Sequence, residues 1–198
     1  ADTIVASRKV HVARATRETD IALTLDPDAA VEGGIRTGLP FLDHMLTSMA
    51  FHGELGLAVE GKGDVAVDPH HLVEDTGLVL GQAFAEILEK GGPVARFGHA
   101  VIPMDEALAE AAIDVCGRPT LSLHAAFPQS YAGEFDLSLL REFFAGLAGQ
   151  ARISLHIECR RGENSHHMAE AVFKALGRAL RLAYAATGRE MSSKGRIG

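Results

Sequence analysis

The sequence predicts an α/β (α+β) fold built from two similar halves, each running strand-strand-helix-strand-helix, with helices packed on one face of each sheet. The first observation is a repeat: HHLVE at residues 70–74 returns as HHMAE at 166–170, about half of the 198-residue chain later. The second is an alternating segment before each copy, and the third is an apolar, helix-periodic segment after it. We therefore expect half-repeats at residues 1–92 and 93–198, packed together as one catalytic unit.

Alternation of apolar and polar residues predicts the strands. Residues 54–60 and 152–158 alternate with period 2, the pattern of half-buried strands, and hold equivalent places before the two motifs. Comparable runs supply two further predicted strands in each half: 8–14 and 20–26, then 107–115 and 118–124.

Two helices are predicted in each half. Residues 41–46 correspond to 139–144 if a gap of about two residues is allowed, so His44 and Glu142 hold equivalent places. The second helix of each half opens at a histidine motif. Asp68 and Asn164 precede the motifs and are residue types that cap helix N-termini, while Pro69 suits a first turn.

Composition limits the possible functions. The formal net charge of −7 argues against a general nucleic-acid or anionic-membrane surface, which needs excess Lys and Arg. No apolar run approaches the ~20 residues that span a bilayer, and the first residues lack a signal-peptide pattern. We expect a soluble, cytoplasmic protein. Cys116 and Cys159 stand singly, so we predict neither a disulfide framework nor a cysteine-based zinc site.

The repeated His-His-x-x-Glu motif predicts metal binding. On a helix, residues three or four apart share a face and adjacent residues diverge by about 100°, so the glutamate can act beside one histidine while the other points elsewhere. One motif can thus serve two metals. With the pair of equivalent helix positions, eight donors form two sites of four: His44, His70, His71, Glu74, Glu142, His166, His167 and Glu170.

Imidazole and carboxylate donors suit ions such as Mn, Fe or Co, and four protein ligands leave open positions for a substrate. A single motif of this kind would be weak evidence, and its duplication at equivalent positions is what favours a metal centre. Counting ligands alone leaves open a two-metal phosphoester hydrolase and a non-catalytic metal-binding protein.

Several longer motifs carry a resemblance to a known family. FLDHML, DPHHLVEDTG, IPMDEAL, CGRP, RGENSHHMAEAVFKALGRAL and SSKG together resemble the imidazoleglycerol-phosphate dehydratase family over essentially the whole chain. The resemblance implies a duplicated fold like domain 2 of ribosomal protein S5, two Mn²⁺ per active site, and a 24-subunit homo-oligomer with active sites between subunits. It also implies the reaction: dehydration of D-erythro-imidazole-glycerol phosphate to imidazole-acetol phosphate in histidine biosynthesis.

Site residues carried over by motif overlap the ligand set above. The resemblance implies metal ligands at seven of the eight donor positions named above. The exception is position 142, where some family members carry a ligating histidine and this chain has Glu142. A carboxylate is also a competent ligand. The implied substrate contacts are Glu18, Arg96, Arg118, Lys174, Ser193 and Lys194.

The mechanism must remove a C–H proton that no carbonyl acidifies. Our hypothesis is that the metals hold the substrate ring as an imidazolate, which expels the adjacent hydroxyl before the proton leaves. Carboxylates would supply the acid and base: Glu18 is the first candidate, and Glu170 or Glu74 can share the role. The implied Arg and Lys contacts would form a local phosphate pocket, and Lys174 lies one helical turn after Glu170.

Overall fold

The computed structural model describes residues 7–189. Its first half forms a four-stranded sheet with strand order β1-β2-β4-β3, in which β3 runs parallel to β4 and the other pairs are antiparallel. The elements are β1 Val10–Ala15, β2 Thr19–Asp26, β3 Ile35–Arg36, α1 Pro40–His52, β4 Gly56–Gly63 and α2 His70–Gly91.

The second half repeats this architecture. Its four-stranded sheet has the order β5-β6-β10-β7, again with one parallel edge strand, β7 beside β10. The elements are β5 Phe97–Met104, β6 Ala107–Asp114, β7 Thr120–His124, a small ribbon of β8 Tyr131–Ala132 and β9 Phe135–Asp136, a 3-10 turn Leu137–Leu139, α3 Leu140–Ala151, β10 Ser154–Arg161 and α4 Ser165–Ala183. The predicted mixed, duplicated fold is confirmed.

The four helices form a central layer between the two sheets. α2 lies on β1 and β2, and α4 lies on β5 and β6. The halves meet through helix pairs, because α1 packs against α4 and α2 against α3. Much of the apolar core lies between these helices. There, the rings of Phe143, Phe144 and Phe173 contact one another, with centroids 5.3–5.5 Å apart. The division at residues 92 and 93 stays a prediction.

Close helix contacts reveal the internal symmetry. A Cβ on Gly177 of α4 would lie 2.1 Å from the carbonyl oxygen of Met49 on α1, and a Cβ on Gly81 of α2 would lie 2.6 Å from that of Leu147 on α3. Both glycines therefore allow two helix backbones to touch. These matching contacts align Met49 with Leu147, and so support the two-residue gap that pairs His44 with Glu142.

One strand of each four-stranded sheet, β3 and β5, was missed by the sequence analysis. Each half contributes three strands to its four-stranded sheet before its first helix, rather than the two predicted. In the second half the hairpin partner of β6 is β5, whereas the strand predicted at 118–124 is β7, the parallel edge strand. The alternation of apolar and polar residues that would predict β5 is incomplete. Gly98 is buried at an inward position where a Cβ would lie 1.9 Å from the carbonyl oxygen of Ala179, so no apolar side chain fits there.

The helix caps follow the prediction in part. The Asn164 side chain accepts hydrogen bonds from the backbone N–H groups of His166 and His167, as predicted. α2 begins at His70, so Pro69 is the cap residue rather than part of the first turn, and Asp68 still accepts a hydrogen bond from the His70 N–H. Among the helices of residues 7–189, none is long and apolar enough to cross a membrane.

Candidate metal centre

Three donor side chains from the two halves meet between α1 and α4. His44, His166 and Glu170 each offer a ligand atom within 4.8 Å of the others. Nε2 of His44 lies 3.4 Å and Nε2 of His166 lies 3.3 Å from Oε2 of Glu170. Both imidazoles are about half exposed, so the cluster is open to solvent. This donor set and spacing fit a divalent transition-metal ion.

The N-terminus of α4 is held in several places, which fixes His166. Asn164 caps the helix, and Gln129 accepts a hydrogen bond from the Ser165 N–H at 2.7 Å. The ring of Phe41 on α1 contacts the edge of the His166 ring, with 5.4 Å between centroids. The backbone at His166 is therefore held by its cap, and its ring rests against Phe41.

Lys174 keeps Glu170 ionised. Burial of Glu170 raises its pKa, but the Lys174 ammonium, whose Nζ lies 3.1 Å from Oε1, outweighs that effect and brings the pKa below its ordinary value. The nearby His44 lowers it further. Glu170 therefore presents a charged carboxylate at neutral pH, which a metal ligand requires.

The first motif has matching local geometry but a less complete cluster. Nε2 of His70 lies 3.4 Å from Oε2 of Glu74, as in the second motif. Glu142 holds the backbone position equivalent to His44, on α3 beside α2. Within residues 7–189, however, only the His44 group brings three such donors together. The structure therefore places Glu142 on the expected helix without joining its carboxylate to His70 and Glu74.

The second histidine of each motif contacts acidic residues other than the motif's glutamate. The rings of His70 and His71 stand at 79°, and those of His166 and His167 at 85°. His167 Nδ1 lies 2.9 Å from Oε2 of Glu106, at the turn between β5 and β6. Each motif thus presents donors in two directions.

His71 has a similar setting in the first half. Its Nδ1 lies 3.5 Å from Oδ1 of Asp64 and 3.8 Å from Oε2 of Glu18. Desolvation lowers the pKa of His71, but Asp64 and Glu18 outweigh it, and the pKa is raised. The hydrogen bond to Glu106 raises the pKa of His167 and, with two backbone N–H groups, holds the pKa of Glu106 at about 2.

A hydrogen-bond network, buried at Thr19 and Asp75, holds the turn that carries Glu18. The Thr16 hydroxyl accepts hydrogen bonds from the N–H groups of Glu18 and Thr19, at 3.1 and 3.0 Å. The Thr19 hydroxyl donates to Asp75 of α2, and Arg14 Nε donates to the same carboxylate at 3.0 Å. Glu18 itself is more than half exposed. Its backbone is therefore fixed while its side chain is free to reach a substrate.

The predicted phosphate-binding cations fall into two groups. Lys174 belongs to the His44 cluster. The Arg96 N–H instead bonds to the carbonyl of Ala183, at the far end of α4 and about 25 Å along that helix from His166. Arg118 follows the same end of β6, because Val115 N–H bonds to the Arg96 carbonyl. Ser193 and Lys194 lie outside the described residues.

Arg96 is also paired within the chain. Its Nε lies 2.7 Å from Oδ1 of Asp114, and the guanidinium lies 4.8 Å from the centre of the Phe97 ring. The hydrogen bond to Asp114 raises the pKa of Arg96. Arg96 therefore does not join the His44 cluster of its own chain.

Sequence reasoning missed residues that support the site. Asp64 and Glu106 contact the candidate ligands His71 and His167, and Asp75 contacts Thr19, next to Glu18. Phe41 packs on His166. A signal was present for Glu106, because it lies at the hairpin turn equivalent to that of Glu18 and within the quoted IPMDEAL segment. Its partner could not be identified without the packing of β5 and β6 on α4.

Fold and site together define a duplicated α/β protein whose helix N-termini carry histidine–carboxylate groups suited to transition metals. The sequence profile of the imidazoleglycerol-phosphate dehydratase family matches residues 37–180. Imidazoleglycerol-phosphate dehydratase of Pseudomonas paraeruginosa is 48% identical over 179 residues, which cover 90% of this chain and 91% of the relative. That of Herminiimonas arsenicoxydans is 48% identical over 177 residues, 89% of each chain.

Two solved structures are similar to this chain. The crystal structure of IGPD from Pyrococcus furiosus in complex with (S)-C348 superposes with a TM-score of 0.84 at 40% identity, covering 93% of this chain and 99% of that one. Imidazoleglycerol-phosphate dehydratase from Staphylococcus aureus gives 0.82 at 39% identity, covering 90% and 99%. The chain belongs to the imidazoleglycerol-phosphate dehydratase family. It is a dehydratase of histidine biosynthesis, a carbon–oxygen hydro-lyase.

Proposed function

We propose that the chain removes water from D-erythro-imidazole-glycerol phosphate at a centre of divalent transition metals held by its repeated histidine motifs. The observation that carries this proposal is the convergence of His44, His166 and Glu170 within 4.8 Å. The product is imidazole-acetol phosphate.

The donor set favours Mn²⁺ or a similar ion, two per active site. The proposed ligands are His44, His70, His71, Glu74, His166, His167 and Glu170, with Glu142 as an eighth. Imidazole and carboxylate donors without thiolates suit such ions. Bound ions would supply positive charge that stabilises the imidazolate form of the substrate's ring.

The chain's own carboxylates move the protons in this proposal. Glu18 is the candidate acid and base, because its turn is fixed by Thr16 and Thr19 and its side chain is exposed beside His71. Glu170 and Glu74 act mainly as ligands and can share proton transfer. Lys174 lies beside Glu170 with about a fifth of its side chain exposed, and it would bind substrate oxygen as a point charge.

Active sites completed by neighbouring copies are part of the proposal. His71 and His167 contact acidic residues of neighbouring turns rather than the glutamates of their own motifs. Arg96 and Arg118 lie at the opposite end of α4 from His166. Donors and phosphate-binding cations of one chain therefore fit sites shared with other copies, as in the expected 24-subunit homo-oligomer. A cytoplasmic location stays a prediction.

The test is an assay of the reaction products. The metal-loaded protein is incubated with imidazole-glycerol phosphate, and the ketone is followed by the absorbance of its enolised form while inorganic phosphate is measured in parallel. Ketone without phosphate release is expected, and it should vanish on chelation and return with Mn²⁺. Phosphate release would indicate a phosphoester hydrolase, and neither product would indicate a non-catalytic metal protein.

A further inference from the structure

The two halves place an acidic residue at the same hairpin turn and use it differently. Glu18 lies between β1 and β2, and Glu106 lies between β5 and β6. Glu18 is 3.8 Å from Nδ1 of His71 and remains more than half exposed. Glu106 is bound on both of its carboxylate oxygens, so the duplication has separated two roles.

Glu106 joins the turn to the N-terminus of α4. Its Oε1 accepts hydrogen bonds from the N–H groups of Glu163 and Asn164, at 3.0 and 2.7 Å. Its Oε2 lies 2.9 Å from Nδ1 of His167. One carboxylate therefore holds the segment before the helix and the ring of a residue in its first turn.

The chemistry of these partners determines which nitrogen of His167 carries the proton. Nε2 of His167 lies 3.7 Å from Oδ2 of Asp105, beyond hydrogen-bond distance, so the hydrogen bond of the ring is the one from Nδ1 to Glu106. An ionised carboxylate only accepts hydrogen bonds, so Nδ1 of a neutral His167 ring must be the donor. The proton on Nδ1 leaves the lone pair on Nε2, the atom that can bind a metal. Nε2 is also the atom that His44, His70 and His166 turn toward their glutamates.

We infer that Glu106 is a positioning residue that fixes the Nδ1–H tautomer and ring direction of His167, so that Nε2 is presented to a metal. The inference rests on the proposed metal centre. It also explains why Glu18, and not its counterpart, is the candidate acid and base: among residues 7–92, which the structure describes, no carboxylate is hydrogen-bonded to Nδ1 of His71. There, Nδ1 of His71 and Oδ1 of Asp64 face each other at 3.5 Å, and both are buried without a hydrogen-bond partner.

The substitution Glu106→Gln separates the two roles of this carboxylate. The amide oxygen of glutamine can still accept from the N–H groups of Glu163 and Asn164. Its NH₂ group then faces Nδ1 of His167 and must donate to it, which moves the ring proton to Nε2 and removes the metal-binding lone pair. The anchor of α4 is kept while the tautomer is reversed.

The experiment removes metal from the full chain with a chelator, titrates the metal-free protein with Mn²⁺, and measures the free ion by electron paramagnetic resonance. We expect Glu106→Gln to weaken Mn²⁺ binding by about 10- to 100-fold with an unchanged melting temperature, the range found when a partner of a ligating histidine is lost. Glu106→Ala should weaken binding and also lower the melting temperature. Glu89→Gln, an exposed carboxylate near the far end of α2, is the matched control and should bind as the unaltered protein does.

A double variant tests whether Glu106 acts through His167. In the background of His167→Ala, adding Glu106→Gln should have no further effect on Mn²⁺ affinity. Independent, additive losses would overturn the inference, as would Glu106→Gln binding Mn²⁺ like the unaltered protein. Absence of Mn²⁺ binding by the unaltered protein would overturn the proposed metal centre itself, and this inference with it.

Discussion

His44 and Glu170 come from different halves of the chain, yet Nε2 of His44 lies 3.4 Å from Oε2 of Glu170. They meet because α1 of one half packs on α4 of the other, at a contact close enough to require Gly177. The same packing between α2 and α3 places Glu142 at the corresponding position beside the first motif. The predictions below test this paired arrangement and the contacts that hold it.

The two equivalent positions should make unequal contributions to metal binding. His44→Ala removes a member of the assembled three-donor cluster, and we expect bound Mn²⁺ to fall by about half. Glu142→Ala should weaken the other site by about tenfold. Plasma mass spectrometry after dialysis measures the bound metal, and titration with Mn²⁺ measures the affinity. Glu89→Ala is the control, and unchanged content and affinity in Glu142→Ala would remove Glu142 from the ligand set.

Lys174 should act on the substrate as well as on Glu170. Lys174→Met keeps the length of the side chain and removes its charge, so kcat/KM should fall by about 10- to 100-fold, the loss of one charge-assisted hydrogen bond. Steady-state kinetics of the dehydration measure this change. Arg178→Met, at an exposed position one turn later on α4, should have little effect. Equal kinetics for the two variants would contradict a role for Lys174.

The turn that carries Glu18 should depend on Thr19. Thr19→Val preserves the shape of the side chain and removes the hydroxyl that donates to Asp75, leaving that buried carboxylate with Arg14. We expect kcat to fall by about 10- to 100-fold with a smaller change in KM, because a displaced acid–base group affects the chemical step.

Thr24→Val is the control for this effect. Thr24 lies on the same strand, and its hydroxyl contacts His11 on the exposed face of the sheet. The substitution Thr24→Val should leave kcat unchanged. A rise in KM alone for Thr19→Val would show that Thr19 does not position a group used in the chemical step.

The glycine contact between α1 and α4 should be intolerant of a side chain. In Gly177→Ala the new Cβ would lie 2.1 Å from the Met49 carbonyl oxygen, so the helices must separate, at about 1–3 kcal/mol of unfolding free energy. Gly149→Ala, on α3 with no atom within 4 Å of the added Cβ, should instead stabilise by about 0.5–1 kcal/mol. Thermal or denaturant unfolding measures both, and a fully stable Gly177→Ala would be inconsistent with this contact.

Local patterns predicted much of the fold. Strand alternation and helix periodicity depend on which face of an element is buried, and they identified β1, β2, β4, β6, β7, β10 and the four helices. β5 was missed because its inward position is Gly98, where the backbone of α4 lies too close for a side chain. The pattern there depends on a helix more than 60 residues later in the sequence.

Local patterns also predicted only part of the candidate site. Helix geometry alone places His166 beside Glu170 and turns His167 away, because those relationships span one turn. No local pattern could identify Glu106 as the partner of His167, or Asp75 as the partner of Thr19. Nor could one place Arg96 about 25 Å along α4 from His166.

By itself, the sequence determined the duplication, the donor types and their spacing within each motif, and the family resemblance that the comparisons confirm. Only the tertiary structure decided which donors meet: His44 with His166 and Glu170, and Glu106 with His167. The physical reason is the distance along the chain over which each constraint acts. Backbone geometry fixes neighbours within a helical turn, whereas the partners of a side chain across the core depend on how helices and sheets pack.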